Sequence, residues 1–547
     1  MTRNKTFILL VILLSVVGLW SFSNDDRYFT MVKNIDIFSS LYGEVNTYYV
    51  DEINPNTLIK TSIDAMLEKL DPYTVYIPED DIEDFRTNAT GQYGGIGILS
   101  NKIKDRHLIL NLYDDSPAQL TGLKIGDEII SINNRNIKGM SDDELGKLIK
   151  GQSGTHLTVG VLRNNTERLV YEVDRQRITI PNIAYKTMLD ENIGYFKLTE
   201  FTRNASEDVE QAVRDLKTQG ATGLVFDLRD NPGGLLNEAV EICNLFVPKG
   251  SDIVETRGKT QAQSLSYQAK KEALDLEIPI AVLINEGSAS ASEIVSGVMQ
   301  DYDRGIIVGQ KSFGKGLVQV TRPLSYNSQL KVTTAKYYIP SGRCIQALDY
   351  LHKSADGQAQ EIPDSLKEAF FTTNNRVVYD GGGVDPDIKI TPKKVSAYTT
   401  NLTTAGLIFD YATKYYYSHA SLSSPTDFEL SDSEYAAFSK WVNDQHFETT
   451  SNIEDAVELL SEAANEDKVY AQLSTEISAI STEIKKLKAN GLTNFKAEIK
   501  RRLELEIIRR YYLNAGLLEA TLHSDSDVVT AMETLHDPNK YKQLLNK

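Results

Sequence analysis

Residues 280–293 read Ile280-Ala281-Val282-Leu283-Ile284-Asn285-Glu286-Gly287-Ser288-Ala289-Ser290-Ala291-Ser292-Glu293. The opening apolar run has the pattern of a strand covered on both faces of a parallel sheet. Small residues then form a loop, and 290–300 reads as the helix that follows. Upstream, Ile193–Leu198 reads as a strand. Val209, Ala212, Val213 and Leu216 line one face of a helix that Asn204 can cap. A second buried strand over 223–228 runs into Asp230-Asn231-Pro232-Gly233-Gly234 and a helix over 236–246. Downstream come a strand over 305–308, the loop Gly314-Lys315-Gly316 and the glycine-rich turn 379–387. Alternating strands and helices predict an α/β core with parallel strands.

A strand, a loop bearing a serine, and a helix form a good setting for a nucleophile. The helix dipole favours negative charge at its start, and the amide of Ala291 points where an oxyanion would form. The turn Pro232-Gly233-Gly234 is the natural source of a second donor, because glycine lets backbone approach closely. The histidines are His107, His156, His352, His419, His446, His523 and His536, and none stands in a comparable setting. A Ser290–Lys315 dyad is therefore the better reading than a Ser-His-Asp triad. To act as a base the lysine must be neutral, so burial and positive potential must lower its pKa from ~10.4. With a strand over 316–320, period-two alternation puts Lys315 and Gln319 on one face, where the amide can hold the lysine. Alone, a small-residue helix start is ordinary packing and Gly-Lys-Gly a solvated turn; the order of all the pieces carries the reading.

From 84 to 177 the texture changes to short strands and glycine turns. Gly94-Gly95-Ile96-Gly97-Ile98 leads into a strand, and 142–149 is a short helix with Leu145, Leu148 and Ile149 on one face. The order of elements resembles a PDZ domain. Glycine amides there can form a concave anion site, and a peptide C-terminus can add as a strand beside Ile98. The bland alternative is a connecting glycine turn.

The N-terminus carries Arg3 and Lys5 ahead of an apolar run over 7–20 and the small-residue pattern Ser21-Phe22-Ser23. The run is shorter than the ~20 residues a bilayer span needs and suits a signal peptide; an uncleaved N-terminal membrane anchor is the alternative. No cysteine follows it, which argues against a lipoprotein anchor. Either reading exports the protein, to the periplasm or to the outer face of the inner membrane. Residues 35–70 read as helical, ending at Asp71-Pro72. Beyond Lys394 the chain is helical and charged, with amphipathic segments over 453–464, 473–487 and 495–512 and no catalytic motif. This extension offers a surface for packing, for an adaptor or for a second copy of the chain. The net charge of −18 argues against nucleic acid as a partner. Cys243 and Cys344 are the only cysteines, too few for a disulfide framework, and no metal-ligand spacing appears.

Further motifs are Leu70-Asp71-Pro72, Phe226-Asp227-Leu228-Arg229-Asp230-Asn231-Pro232-Gly233-Gly234, Phe313-Gly314-Lys315-Gly316 with Gln319, Thr334-Ala335-Lys336-Tyr337-Tyr338, Pro340-Ser341-Gly342-Arg343 and Gly381-Gly382-Gly383-Val384. With the serine loop and the PDZ-like module, they resemble the carboxyl-terminal processing (tail-specific) serine peptidases over residues 35–393. The resemblance implies a crotonase-like α/β catalytic core with an inserted PDZ domain. It implies Ser290 as nucleophile, Lys315 as general base, Gln319 as orienting residue, and the amides of Gly234 and Ala291 as the oxyanion hole. Polypeptides with free C-termini are the implied substrates, captured at Gly95, Ile96, Gly97, Ile98, Leu145, Leu148 and Ile149, with no cofactor and no metal. The expected organisation is a leader over 1–23, a helical segment over 28–83, the PDZ domain over 84–177, the catalytic domain over 178–393, completed by parts of 28–83, and the helical extension over 394–547. A catalytically silent PDZ scaffold is the alternative, against which the intact Ser290, Lys315 and Gln319 argue. Acyl-CoA chemistry, suggested by the crotonase-like core, fits poorly with export and a serine nucleophile.

Overall fold

The computed structural model describes residues 27–354, 357–447 and 451–547. The expected leader over 1–23 lies outside the described residues. Among those residues no helix is long and apolar enough to cross a membrane. The unit ending at Tyr76 contains a helix over 27–48 and the helix Pro55–Glu68. The stretch expected to be helical from 35 to 70 is therefore broken. Asn54 accepts hydrogen bonds from the amides of Asn56 and Thr57 as an N-cap, and Pro55 disfavours a helical residue before it.

In the unit from Ile77 onward, strands Gln92–Gly95 and Gln176–Thr179 pair antiparallel and bring together the two ends of the glycine-turn module. Between them, strands Ile98–Ile103, Arg106–Leu112, Glu128–Ile132, His156–Arg163 and Glu167–Asp174 form an antiparallel sheet. Helix Asp142–Ile149 carries the capping box Ser141/Glu144 expected of Ser-x-x-Glu.

The α/β core is a sheet in the order Ile183–Met188, Ile193–Leu198, Gly223–Asp227, Ile280–Ile284, Ile306–Gly309, Ile388–Lys389. Its strands are parallel from Ile193 onward. Helices Ala205–Thr218, Leu236–Asn244 and Ala291–Asp301 cover one face. Asn204 stands before the first of these in a left-handed conformation, and its side chain makes no capping bond. Glu238 replaces it by accepting the amides of Asn204 and Ser206. A parallel sheet needs both faces covered. The second cover comes from the far end of the chain: Leu522, Val528, Ala531, Leu535, Tyr541 and Leu545 pack on Tyr195, Val225, Ala281, Leu283, Ile306 and Val308.

The three amphipathic segments expected in the extension appear as Asn452–Glu466, Tyr470–Ala489 and Lys496–Leu522. A further cluster joins Leu402, Ile408, Phe438, Ile499, Leu503 and Ile507. Phe409 and Leu513 leave it to join the core of the glycine-turn module, and Arg106 pairs with Asp410 at 2.8 Å. The extension thus touches both the module and the α/β sheet. Cys243 and Cys344 are free thiols.

Candidate active site

Ser290 stands at the junction of the loop after Ile280–Ile284 with helix Ala291–Asp301. Its backbone sits at φ 56, ψ −111, a conformation costing a non-glycine residue about 1–3 kcal/mol. Its amide donates to Glu293 Oε2 at 2.8 Å, and the buried Tyr337 hydroxyl donates to its carbonyl at 3.1 Å. Burial raises the Tyr337 pKa far above that of free tyrosine, so the phenol keeps the proton it donates. The neighbouring serines are structural. Ser288 Oγ donates to Leu228 O at 2.8 Å, Ser292 Oγ donates to Asn231 O at 2.9 Å, and both side chains are fully buried. Ser290 is the partly exposed one.

A fully buried carboxylate joins the serine loop to the lysine loop. Glu293 Oε2 accepts the amides of both Ser290, at 2.8 Å, and Lys315, at 2.9 Å. Its Oε1 accepts Ser312 Oγ and the Gly314 amide, each at 2.6 Å. Phe313 adds a bond from its amide to Ser288 O at 3.0 Å. Burial pushes the Glu293 pKa up, while the bonds from Ser312, Lys315, Gly314 and Ser290 pull it back. Further out, Ser312 Oγ accepts the Val384 amide, and Gln346 Oε1 accepts the Gly316 amide. Val384, from the motif Gly381-Gly382-Gly383-Val384, and Gln346 therefore buttress the lysine loop. Sequence reasoning passed over Glu293, although Ser290-x-x-Glu293 has capping-box spacing.

Lys315 is partly buried ahead of strand Leu317–Pro323, which pairs with Gln329–Tyr338. The register shifts between Val318 and Gln319. The extra residue at this irregularity is Thr334 on the partner strand, so residues 317–323 themselves run without interruption. Gln319 Nε2 donates to Thr333 Oγ1 at 3.1 Å across the hairpin.

The glycine loop closes directly on Ser290. Gly233 has φ 99, and a Cβ there would lie 2.9 Å from Ala291 N, 2.9 Å from Ser290 Cβ and 2.7 Å from Ala289 O. Only glycine fits. Phe201 donates its amide to Gly233 O and accepts the Leu235 amide, so Gly234's own amide takes no part in that bridge. The Ala291 amide is in the first turn of its helix, where amides have no intrahelical acceptor. Asn231 fixes the loop: Nδ2 donates to Leu198 O, Oδ1 accepts the Gly233 amide, and its carbonyl accepts the Ala289 amide. At the foot of the loop, burial alone would raise the Asp227 pKa. The charges of Arg229 and Lys197, with hydrogen bonds from Arg229 and Tyr195, instead hold it well below the usual carboxylate range.

The residues expected to line a peptide groove divide. Ile96 and Leu145 are 0% exposed and Ile149 is 5% exposed, all in the module's core. Ile98 and Leu148 are partly exposed. Gly95 ends a paired strand rather than standing in an open loop, and Gly97 takes φ 80.

Three family models match the chain: peptidase family S41 over residues 192–350, a PDZ domain over 108–163, and the C-terminal helical domain of "Probable PDZ-protease" over 398–535. The carboxy-terminal-processing protease of Bartonella bacilliformis is 37% identical over 321 residues, 58% of this chain and 73% of that protein. A "Probable CtpA-like serine protease" of Staphylococcus aureus is 32% identical over 382 residues, 69% of this chain and 75% of its own length. Among solved structures, the photosystem II D1 C-terminal processing protease is 26% identical, covering 65% of this chain and 92% of its own, with a TM-score of 0.35.

Proposed function

The chain belongs to the carboxyl-terminal processing serine peptidases of family S41 and is a serine-type endopeptidase, and from that premise we propose a mechanism. Ser290 Oγ attacks the peptide carbonyl while Lys315 Nζ accepts its proton. The amides of Ala291 and Gly234 stabilise the oxyanion, and Lys315 returns the proton to the leaving amine. Water, deprotonated by Lys315, then hydrolyses the acyl-enzyme. Gln319 orients the lysine. The observation that carries this reading is the pair of Glu293 bonds holding the Ser290 and Lys315 amides on one carboxylate oxygen, beside a strained, partly exposed serine.

Residues 84–177 are the PDZ domain, which captures polypeptide C-termini between Ile98 and Leu148. Residues 178–393 are the catalytic domain, with a crotonase-like core. The protein is exported, to the periplasm or to the outer face of the inner membrane, by its N-terminal segment. The test is incubation with an unfolded polypeptide and a serine-reactive fluorophosphonate. Covalent labelling at Ser290 with loss of hydrolysis supports the reading. Hydrolysis that persists with Ser290 fully modified overturns it.

A further inference from the structure

Arg229, at the foot of the glycine loop, is shared between carboxylates from two distant parts of the chain. Its Nε and Nη2 hold the fully buried Asp227 at 3.0 and 2.7 Å, and Asp227 also accepts the Tyr195 hydroxyl at 2.7 Å. Its Nη1 holds Asp525 at 2.9 and 2.8 Å and Asp527 at 3.2 Å. Asp525 caps helix Ser526–Leu535, and Asp527 lies in its first turn. The Arg229 carbonyl accepts Lys197 Nζ at 2.9 Å. The next residue, Asp230, has φ 61 and is held by Asn285 through two hydrogen bonds. Three residues further on, Gly233 presses against Ser290 and Ala291.

Docking of the helix on the sheet does not explain this cluster. Val528, Ala531, Leu535, Tyr541 and Leu545 already supply an apolar contact with the sheet. Buried ion pairs contribute little stability beyond what apolar contact would give. What a guanidinium fork adds is direction, because its planar donors fix the geometry of their partners. An oxyanion donor is sensitive to direction, since a displaced donor loses most of its value.

We propose that Asp525 and Asp527 are positioning residues for peptide hydrolysis: acting through Arg229, they set the glycine loop so that the Gly234 amide meets the oxyanion. The proposal rests on the reading of Gly234 and Ala291 as oxyanion donors. It makes the C-terminal helical region a working part of the active site.

The test uses the full chain with Asp525→Asn and Asp527→Asn, singly and combined. Asparagine keeps the shape and the capping oxygen and removes the charge. Turnover of a peptide reporter is read beside the affinity of a peptide aldehyde that forms a tetrahedral adduct at the serine. In the double variant kcat should fall on the order of tenfold, KM should stay within about twofold, and aldehyde affinity should fall by the same factor as kcat. Arg229→Lys, which keeps the charge but loses the fork, should fall at least as far. The control is His536→Ala, which cuts another bond of the same C-terminal region, to Asp190 at 2.7 Å, away from the loop. An unchanged kcat in the double variant, an equal fall in His536→Ala, or a fall in KM-linked binding alone overturns the proposal. Failure of the underlying serine reading shows separately, as absence of fluorophosphonate labelling in the unmodified protein.

Discussion

The serine region and the groove of the PDZ domain both begin as glycine-rich turns at a strand end, yet they use glycine differently. At Gly233 the missing side chain lets one loop lie against Ser290 and the first amide of the helix that follows it. At Gly94 and Gly97 it lets the domain close on itself: a Cβ would lie 2.0 Å from Gly151 O in the first case and 2.3 Å from Ser116 Cβ in the second. The side chains divide likewise. Around Ser290 the polar neighbours are buried and bonded, leaving Ser290 itself partly exposed. In the PDZ domain most of the apolar residues picked out by pattern fill the core, and only Ile98 and Leu148 reach the surface. Glycine marks a close approach; what approaches decides whether the place is a site or a joint.

The serine side of this comparison breaks most completely with Ser290→Ala, which should reduce hydrolysis by at least about 10⁴-fold while leaving the melt nearly unchanged. Ser288→Ala and Ser292→Ala remove buried hydrogen bonds instead. They should cost about 1 kcal/mol of stability each and retain hydrolysis. Reporter turnover beside thermal denaturation separates the three. A Ser290→Ala protein that cleaves as fast as wild type removes the nucleophile assignment.

Lys315→Ala should lose activity as fully as Ser290→Ala, and the double variant should be no worse, because the two act as one unit. Lys315→Arg should not rescue, since guanidinium stays protonated. Single-turnover rates of the four proteins test this, and an active Lys315→Arg would sink the lysine as base.

What the sequence disclosed follows the range of the forces involved. The apolar runs at 223–228 and Ile280–Ile284 announced buried parallel strands, and the serine–helix junction followed from them. The second cover of that sheet was invisible: Val528, Ala531 and Leu535 lie beyond the three segments read as amphipathic, and their spacing names no partner. Helical periodicity says that a face is buried, not against what. The same limit hid the approach of Asp525 to Arg229, which are far apart in sequence and lie in no shared motif. Glu293 was missed for another reason. A carboxylate inside a small-residue helix start reads as a dipole partner, whereas here both its oxygens bind the loop of Lys315.

Glu293→Gln attacks the frame rather than the chemistry. The amide nitrogen would face donors on one side, and each buried donor left without an acceptor costs about 1–3 kcal/mol. Stability and kcat should both fall, less than for the loss of Ser290 or Lys315. The pH dependence has a definite sign. Burial raises the Glu293 pKa, so the folded protein binds this proton more tightly than the unfolded chain. Its contribution is greatest below the unfolded carboxylate pKa and declines as pH rises through the interval up to the raised one. The gap in stability between wild type and Glu293→Gln should narrow over that interval. Urea denaturation across the acid range measures it; a gap that widens would show a depressed pKa instead.

The groove side of the comparison gives the smallest effect. A peptide ending in a free carboxylate and an apolar residue should bind the PDZ domain, and amidating that end should weaken binding by about 1–3 kcal/mol, the cost of leaving buried partners unpaired. The structure sharpens where the side-chain pocket must be. Leu148 is partly exposed on helix Asp142–Ile149 while Leu145, on the same helix, is 0% exposed. Leu148→Ala should therefore lower peptide affinity and leave the melt close to wild type. Leu145→Ala should act through the core, lowering stability first and affinity only as the domain loosens. Calorimetry with matched acid and amide peptides, read beside melts of both variants, distinguishes a groove from a spacer. Equal affinities for the two peptides, with neither variant altering them, would leave the glycines at 94 and 97 as joints of the fold and the domain without a role in capture.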